Sequence, residues 1–505
     1  MRELARSIAL MSAALLAACA TTEPRRADSL KSTPGGVAWF TGSVEEGFAA
    51  AKAQGKPIFL DWSAVWCPPC NQIKAVVLSS PEVAEVLRAT IPITLDGDTQ
   101  NAQTWADRLH VSSYPTLLIL DPSGQELLRI GEFVEVPEFI AAVRSAIGQN
   151  HTLPMTVESA LSGRATADDW TILAYASWEQ LDNVDLRTRL RLFQAAPADQ
   201  VATRALLAAK LLESAAGSPP AADVAAEVRG QGQVLLGAML SSDGAVHAAR
   251  STIVESSREI VSWLLPDAGD PRRPEVIAQW TKAATWLATD PGTSLSTRLL
   301  SVEPAVELWL LQHPGQPVPA EIQARVHAAA AKADAAATSP FDRHAVISDA
   351  AELLADAGDG AAARELLEKE LRTTDTPWYY QGSLARLAHK AGDDARALEW
   401  SAKARESARG QATRLQWTVS DLLLNAEVPG PDAGSRVAAL LGTYFDLAFA
   451  LPDGFSGRNG LRARRVASEA VKWGWPEVKG VFARYRTQCE GAAAPTTCRV
   501  AFPAG

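Results

Sequence analysis

The sequence predicts two regions of different fold class, an α/β domain over residues 37–150 and a large all-helical region over 151–488. The first prediction rests on alternation. Short apolar runs such as "PIFLDW", "IPITLDG" and "TLLILD" are separated by amphipathic stretches and turn signals, the pattern of strands joined by helices. The second rests on a change of character near residue 152. Strand signals stop, alanine and leucine dominate, and apolar residues recur at three- and four-residue spacing in "ATRALLAAKLLESAA" and "RVAALLGTYFDLAFAL", as in helices with one buried stripe. The chain has 505 residues, is 47% hydrophobic and carries a formal net charge of −10 with both signs mixed. It can build a large core, and it lacks the basic tract that would neutralise phosphates, which argues against a nucleic-acid partner.

At the N-terminus, "MRELARSIALMSAALLAAC" places Arg2 and Arg6 ahead of an apolar run from Ile8 to Ala18. The run is too short for a mature membrane span and has the form of an export signal over residues 1–18. Its end, Leu16-Ala17-Ala18-Cys19, resembles the lipobox of bacterial lipoproteins. That resemblance implies cleavage before Cys19, lipidation of Cys19 and a place in the bacterial cell envelope facing the periplasm. Ala20 after the cysteine points by the same analogy to the outer membrane; the alternative is ordinary secretion. The membrane is then a partner through the lipid alone. Residues 19–36, polar with Pro24, Pro34 and Gly35-Gly36, form a flexible tether behind the lipidated cysteine.

Within 37–150 the elements follow in order. "VEEGFAAAKAQGK" is a helix stopped at Gly55, and "PIFLDW" a strand opened by Pro57. "NQIKAVVL" is a helix, and "SSPEVAEVLRA" starts another with Ser and Pro at its head. "IPITLDG" is a strand, "NAQTWADRLH" a helix, and "TLLILD", "PSG" and "QELLRIG" form a hairpin. "VPEFIAAVRSAI" closes the domain as a helix.

Between the first strand and its helix lies "WCPPC", with Cys67 and Cys70. Three chemistries compete for such a pair. A zinc site typically takes four Cys or His ligands, but the other cysteines, Cys489 and Cys498, lie far away and no histidine follows at finger spacing. A structural disulfide across so short a loop removes little chain entropy. A redox dithiol fits best, because Cys67 falls at a helix N-terminus, where the dipole and free amides favour a thiolate.

These residues resemble the thioredoxin superfamily. The resemblance rests on "WCPPC", on Asp61 six residues before Cys67, on Tyr114-Pro115-Thr116 before the strand "LLIL", and on the order of strands and helices over 37–148. "GKPIFLDWSAVWCPPC", "SSPEVAEVL" and "YPTLLILDPSGQEL" further resemble the C-terminal periplasmic domain of DsbD-type disulfide reductases. Two departures stand out. The chain has no membrane electron conduit, and Lys74 stands where those domains carry an acid. Lys74 favours the thiolate if it lies near the sulfurs and does nothing if it faces solvent.

The resemblance implies a thiol–disulfide oxidoreductase that needs no cofactor beyond the Cys67–Cys70 disulfide. Cys67, the exposed member, attacks a substrate disulfide, and Cys70, deprotonated through a buried Asp61, resolves the mixed disulfide. Cis Pro115 keeps a backbone edge open for substrate, with Trp66, Tyr114 and Thr116 as substrate-binding residues. Packing is the alternative role for Trp66, and a solvated strand-end carboxylate the alternative for Asp61. Pro68 and Pro69 withdraw amide donors from the thiolate, so the pair leans toward reductase and away from oxidant. The expected partners are disulfides of exported proteins and an unidentified thiol electron donor.

Elsewhere, Asp96, Asp98 and Asn101 cluster in "LDGDTQNAQ" without the fuller ligand set and distal Glu of a calcium loop. No metal is expected. Cys489 and Cys498 flank "EGAAAPTT", and in an oxidising compartment they form a structural disulfide that closes the tail 489–505; a second redox pair is the alternative. In the helical region, "LLADAGDGAAARELLEK" aligns with "LAHKAGDDARALEWSAK" at a spacing of 34 residues, placing Gly358 against Gly392 and Ala363 against Ala397. This resembles the tetratricopeptide repeat and implies a solenoid suited to docking proteins; a compact irregular helical domain is the alternative. The alternative to an enzyme is a scaffold or binding lipoprotein with a non-catalytic module.

Overall fold

The computed structural model describes residues 36–64, 67–111, 113–149, 151–178, 184–218, 220–491 and 495–502. The predicted signal, Cys19, its tether up to residue 35, and Trp66 lie outside the described residues.

The N-terminal domain is a three-layer α/β/α sandwich. Helix α1 (Val44–Gln54) starts at a reciprocal cap in which the Ser43 hydroxyl accepts from Glu46 N and the Glu46 carboxylate from Ser43 N, so two otherwise orphaned amides are satisfied. Strand β1 (Ile58–Ser63) is followed by α2 (Pro68–Gln72), a π-helical turn (Ile73–Val77) and α3 (Pro81–Leu87). Then come β2 (Ile91–Asp96), α4 (Gln100–Arg108), β3 (Thr116–Leu120), β4 (Glu126–Ile130) and α5 (Val136–Gly148). The strand order is β2-β1-β3-β4, with β1 parallel to β2 and antiparallel to β3, and β3 antiparallel to β4.

Every residue of the central strand β1 is buried. Its side chains alternate between faces, as the two-residue pleat requires. Ile58, Leu60 and Trp62 join α1 and α4 in one core, while Phe59 joins α3 and α5 in the other.

That second core does not end at the domain. It runs on through Trp170, Ile172, Leu207, Leu211 and Leu212 of the helical region. Each such fully buried side chain contributes about 1.5–3 kcal/mol, so the helical region is joined to the α/β domain by a shared apolar interior. The helices run from Leu153–Leu161 to Pro476–Glu490. The related segments form two consecutive helix pairs, Pro340–Asp356 with Gly360–Glu370 and Pro377–Lys390 with Asp394–Ser407. Their turns match: Gly358 and Gly392 have φ of 100° and 76°, and Asp359 and Asp393 each cap the following helix. Behind the last helix, Cys489 and Cys498 are disulfide-bonded, and Phe502 packs on Phe445 with ring centroids 4.9 Å apart. Among the described residues, no helix is long and apolar enough to cross a membrane.

Candidate redox site

The end of β1 delivers the chain to Cys67, which caps α2 with extended backbone. Pro68 and Pro69 fill the first helical positions, where a missing N–H costs nothing. The Cys70 amide remains, and donates to Cys67 Sγ at 3.3 Å. Asn71 Nδ2 donates to the Cys67 carbonyl at 2.9 Å and ties down the turn. The two cysteines form a disulfide with Cα atoms 5.2 Å apart.

Asp61 lies on β1 with 2% of its surface exposed. It accepts hydrogen bonds from Thr94 on the neighbouring strand, at 3.0 Å, and from Ser63, at 3.3 Å. Burial raises its pKa above the usual carboxylate range, and the Lys74 charge with these two hydroxyls opposes the shift. Lys74 belongs to the π-helical turn and is only 5% exposed. It does not face solvent, and its charge acts on Asp61. The extra residue that a π turn accommodates follows the redox motif directly.

The Tyr114–Pro115 peptide is cis. Thr116 is fully buried, and its hydroxyl donates to the Ser113 carbonyl at 2.9 Å. The Tyr114 hydroxyl donates to the Gly97 carbonyl at 3.2 Å and accepts from Gln103 at 2.9 Å. The Arg458 guanidinium lies 4.3 Å from its ring centre.

Cys67 differs from its expected exposure. It is 3% exposed and Cys70 1%. The cover comes from the helical region. Trp378, Trp417, Ala404 and Ala408 pack with Ala64, Cys67 and Cys70 in one buried cluster, and Tyr114 and Tyr379 sit at its margin. No local motif marks Trp378 or Trp417, since "TPWYY" and "LQWTV" match many helix-packing aromatics. At the rim, the Thr413 hydroxyl hydrogen-bonds Asp98, which lies in the loop after β2.

Pro68, Pro69 and Gln72 also form one wall of a cavity of about 690 Å³. Its other walls carry Glu255, Glu303, Glu307, Asp349, Glu352 and Asp356. Enclosure in the fold and then like-charge repulsion raise three of them, Asp349 to about 7, Glu255 to about 8 and Glu303 to about 9. Glu255 still opens onto the cavity, and the like charges of Asp349, Glu213 and Glu132 add to the effect of its enclosure. Among the described residues, no group of three or more His, Cys, Asp or Glu side chains is arranged to hold a metal ion.

Sheet order, the cysteine pair heading the helix after β1, and the cis proline before β3 give the N-terminal domain a thioredoxin-like fold. Residues 38–122 match the family model described as thioredoxin-like. The chain is 36% identical over 97 residues to the thiol:disulfide interchange protein DsbD of Salmonella typhi, covering 18% of this chain and 17% of that protein. It is 33% identical over 100 residues to the protein of the same name from Klebsiella pneumoniae, covering 19% and 17%. It thus spans about a sixth of the length of these relatives. A solved structure titled DsbH oxidoreductase aligns at 20% identity and a TM-score of 0.21, covering 25% of this chain and 96% of that one.

Proposed function

We propose that the protein is a lipid-anchored, periplasm-facing thiol–disulfide oxidoreductase that reduces disulfides of exported proteins. The observation that carries this reading is the Cys67–Cys70 pair at a helix head in the same domain as a buried, destabilised Asp61 carboxylate. Once reduced, Cys67 as thiolate attacks one sulfur of a substrate disulfide. The substrate S–S bond breaks and one substrate thiol leaves. Cys70 loses its proton to Asp61 and attacks Cys67 Sγ, which releases the second thiol and restores the Cys67–Cys70 bond. The two electrons come from a thiol donor that re-reduces the pair. With Pro at positions 68 and 69, the Cys67 thiolate has few amide donors, which favours a reducing potential. Tyr114 and Thr116 act as positioning residues around Pro115, since the Tyr114 hydroxyl is engaged and Thr116 is buried. Lipidation at Cys19 supplies the anchor, and the helix pairs after Pro340 act as a tetratricopeptide-like surface.

The test uses the full chain. Reduced protein should transfer electrons to glutathione disulfide. Cys67→Ser should abolish the transfer, and Cys70→Ala should accumulate mixed disulfides on Cys67. A second reading, a scaffold whose redox module is idle, is favoured by the cover over the cysteines. Wild-type protein that transfers no electrons and a Cys70→Ala variant that traps nothing would establish it.

A further inference from the structure

The residues that cover the redox pair lie more than 300 positions further along the chain. Trp378 is on helix Pro377–Lys390 and Trp417 on helix Gln411–Glu427. They are 3% and 6% exposed, nearly as buried as the sulfurs beside them. Among the described residues neither indole N–H has a hydrogen-bond partner, and a buried donor left unsatisfied costs about 1–3 kcal/mol. Shape holds the rings in place despite that cost. Trp417 lies so close on Gly382 that a Cβ there would come within 2.2 Å of its ring. The Thr413–Asp98 hydrogen bond and the Arg458–Tyr114 stack fasten the same helical layer to the loops flanking the motif.

Thiol–disulfide exchange needs a third sulfur to reach Cys67 Sγ. A folded surface cannot reach an atom that two tryptophans cover. The cavity against Pro68 and Pro69 has about 690 Å³, the size that holds a small molecule or a short run of extended chain.

We propose that Trp378 and Trp417 are specificity-determining residues of the redox site. They close it to folded protein surfaces and leave it to disulfides carried by small molecules or extended chain segments, which reach Cys67 as the indoles yield. This rests on the redox reading above and narrows its substrates to exported chains that are not yet folded. The exchange is the one already written, with dithiothreitol as the electron donor in the assay.

The experiment compares three acceptors with the reduced full-length protein: glutathione disulfide, an unstructured peptide with one disulfide, and insulin as a folded disulfide. A site open in about 1–10% of molecules slows a bulky partner about 10- to 100-fold. Trp378→Ala and Trp417→Ala should therefore raise the insulin rate relative to glutathione disulfide by about tenfold or more. Gly382→Ala, which must displace the Trp417 ring, should act in the same direction. Equal insulin preference in wild type and variants would overturn the proposal. A second measurement needs no variant. In the reduced wild-type chain, iodoacetamide should modify Cys67 far faster than a maleimide carrying a polyethylene glycol chain, relative to their rates on an unfolded control. Equal relative rates, read by peptide mass, would also overturn it. If no chain reduces glutathione disulfide, the redox reading fails, while labelling of the wild type and of Trp378→Ala still reports whether the tryptophans close the site.

Discussion

The hydroxyl of Thr94 on β2 donates a 3.0 Å hydrogen bond to the carboxylate of Asp61 on β1. The parallel register sets this contact, pairing the two residues directly. The hydrogen bond does not offset the burial, so the Asp61 carboxyl stays above its usual range.

Asp61→Asn should therefore make the protein more stable and less active. A carboxyl whose folded pKa lies above its unfolded value contributes most when protonated, and the contribution is lost as pH rises through the folded value. At about pH 7 the ionised carboxylate opposes folding, and the amide removes that opposition; below about pH 4 the gain should vanish. Turnover should fall by about 10²-fold because Cys70 loses its proton acceptor. Melting curves at the two pH values, with disulfide reduction in parallel, check both. A variant less stable than wild type at neutral pH would mean that the hydrogen bonds outweigh burial.

The contact between the two regions gives a second prediction. Arg250, 6% exposed, donates to Glu138 Oε1 at 2.9 Å across the seam between α5 and the helical region. His247 Nε2 lies 3.3 Å from the same oxygen, and the Ser294 amide donates to Glu135 at 2.7 Å. Arg250→Met should cost about 1–3 kcal/mol, because Glu138 loses a charged partner and keeps only His247, while Glu135 keeps the Ser294 amide. His247 gains partners in Glu138 and Asp290, and its pKa is raised. Its contribution is full below about pH 6.5 and is lost as pH rises through the raised value. Denaturant unfolding of both chains at several pH values tests this, and an unchanged midpoint for Arg250→Met would sink it.

The acid-walled cavity gives a third. Glu303, Glu255 and Asp349 have folded pKa values near 9, 8 and 7, well above the unfolded carboxylate range. The folded state therefore binds more protons, and stability should fall as pH rises from about 5 to about 9. Glu303→Gln should flatten the upper part of that fall and leave stability at about pH 5 nearly unchanged. Thermal unfolding across the range decides it; a wild-type stability that rises toward pH 9 is the contrary result.

How far the sequence revealed this molecule depends on how local each feature is. β1 and β3 were legible because they are short, mostly apolar runs, broken chiefly by Asp61, and are preceded by Pro57 and Pro115. The proximity of Cys67 to Cys70, the burial of Asp61 and the cis peptide at Pro115 were legible because each is marked by residues along a short stretch. The repeat was legible because Gly358 and Gly392 mark equivalent turns. Other features depended on packing between distant segments. Trp378 and Trp417 have the spacing of ordinary core residues, and nothing in their neighbourhood names the cysteines they cover. The exposure expected of Cys67 failed for that reason. Lys74 was ambiguous because a π turn shifts the helical phase, and residues 73–77 carry no residue type that announces one.

Lys74 supplies the last prediction. It is a buried cation on the turn that follows the redox helix, and its charge is the largest influence lowering the Asp61 pKa. Lys74→Met keeps most of the buried stem and removes the charge. The Asp61 carboxyl should then titrate at higher pH, so the rise of turnover with pH that reports its ionisation should move upward. A shift of one pH unit corresponds to about 1.4 kcal/mol of lost interaction. Lys74→Arg should restore the wild-type profile if charge is what matters. A purely structural role would instead lower melting temperature in both variants and leave the pH midpoint in place. The pH dependence of disulfide reduction in the three chains separates these outcomes, and an unmoved midpoint in Lys74→Met would remove Lys74 from the proton path of Cys70.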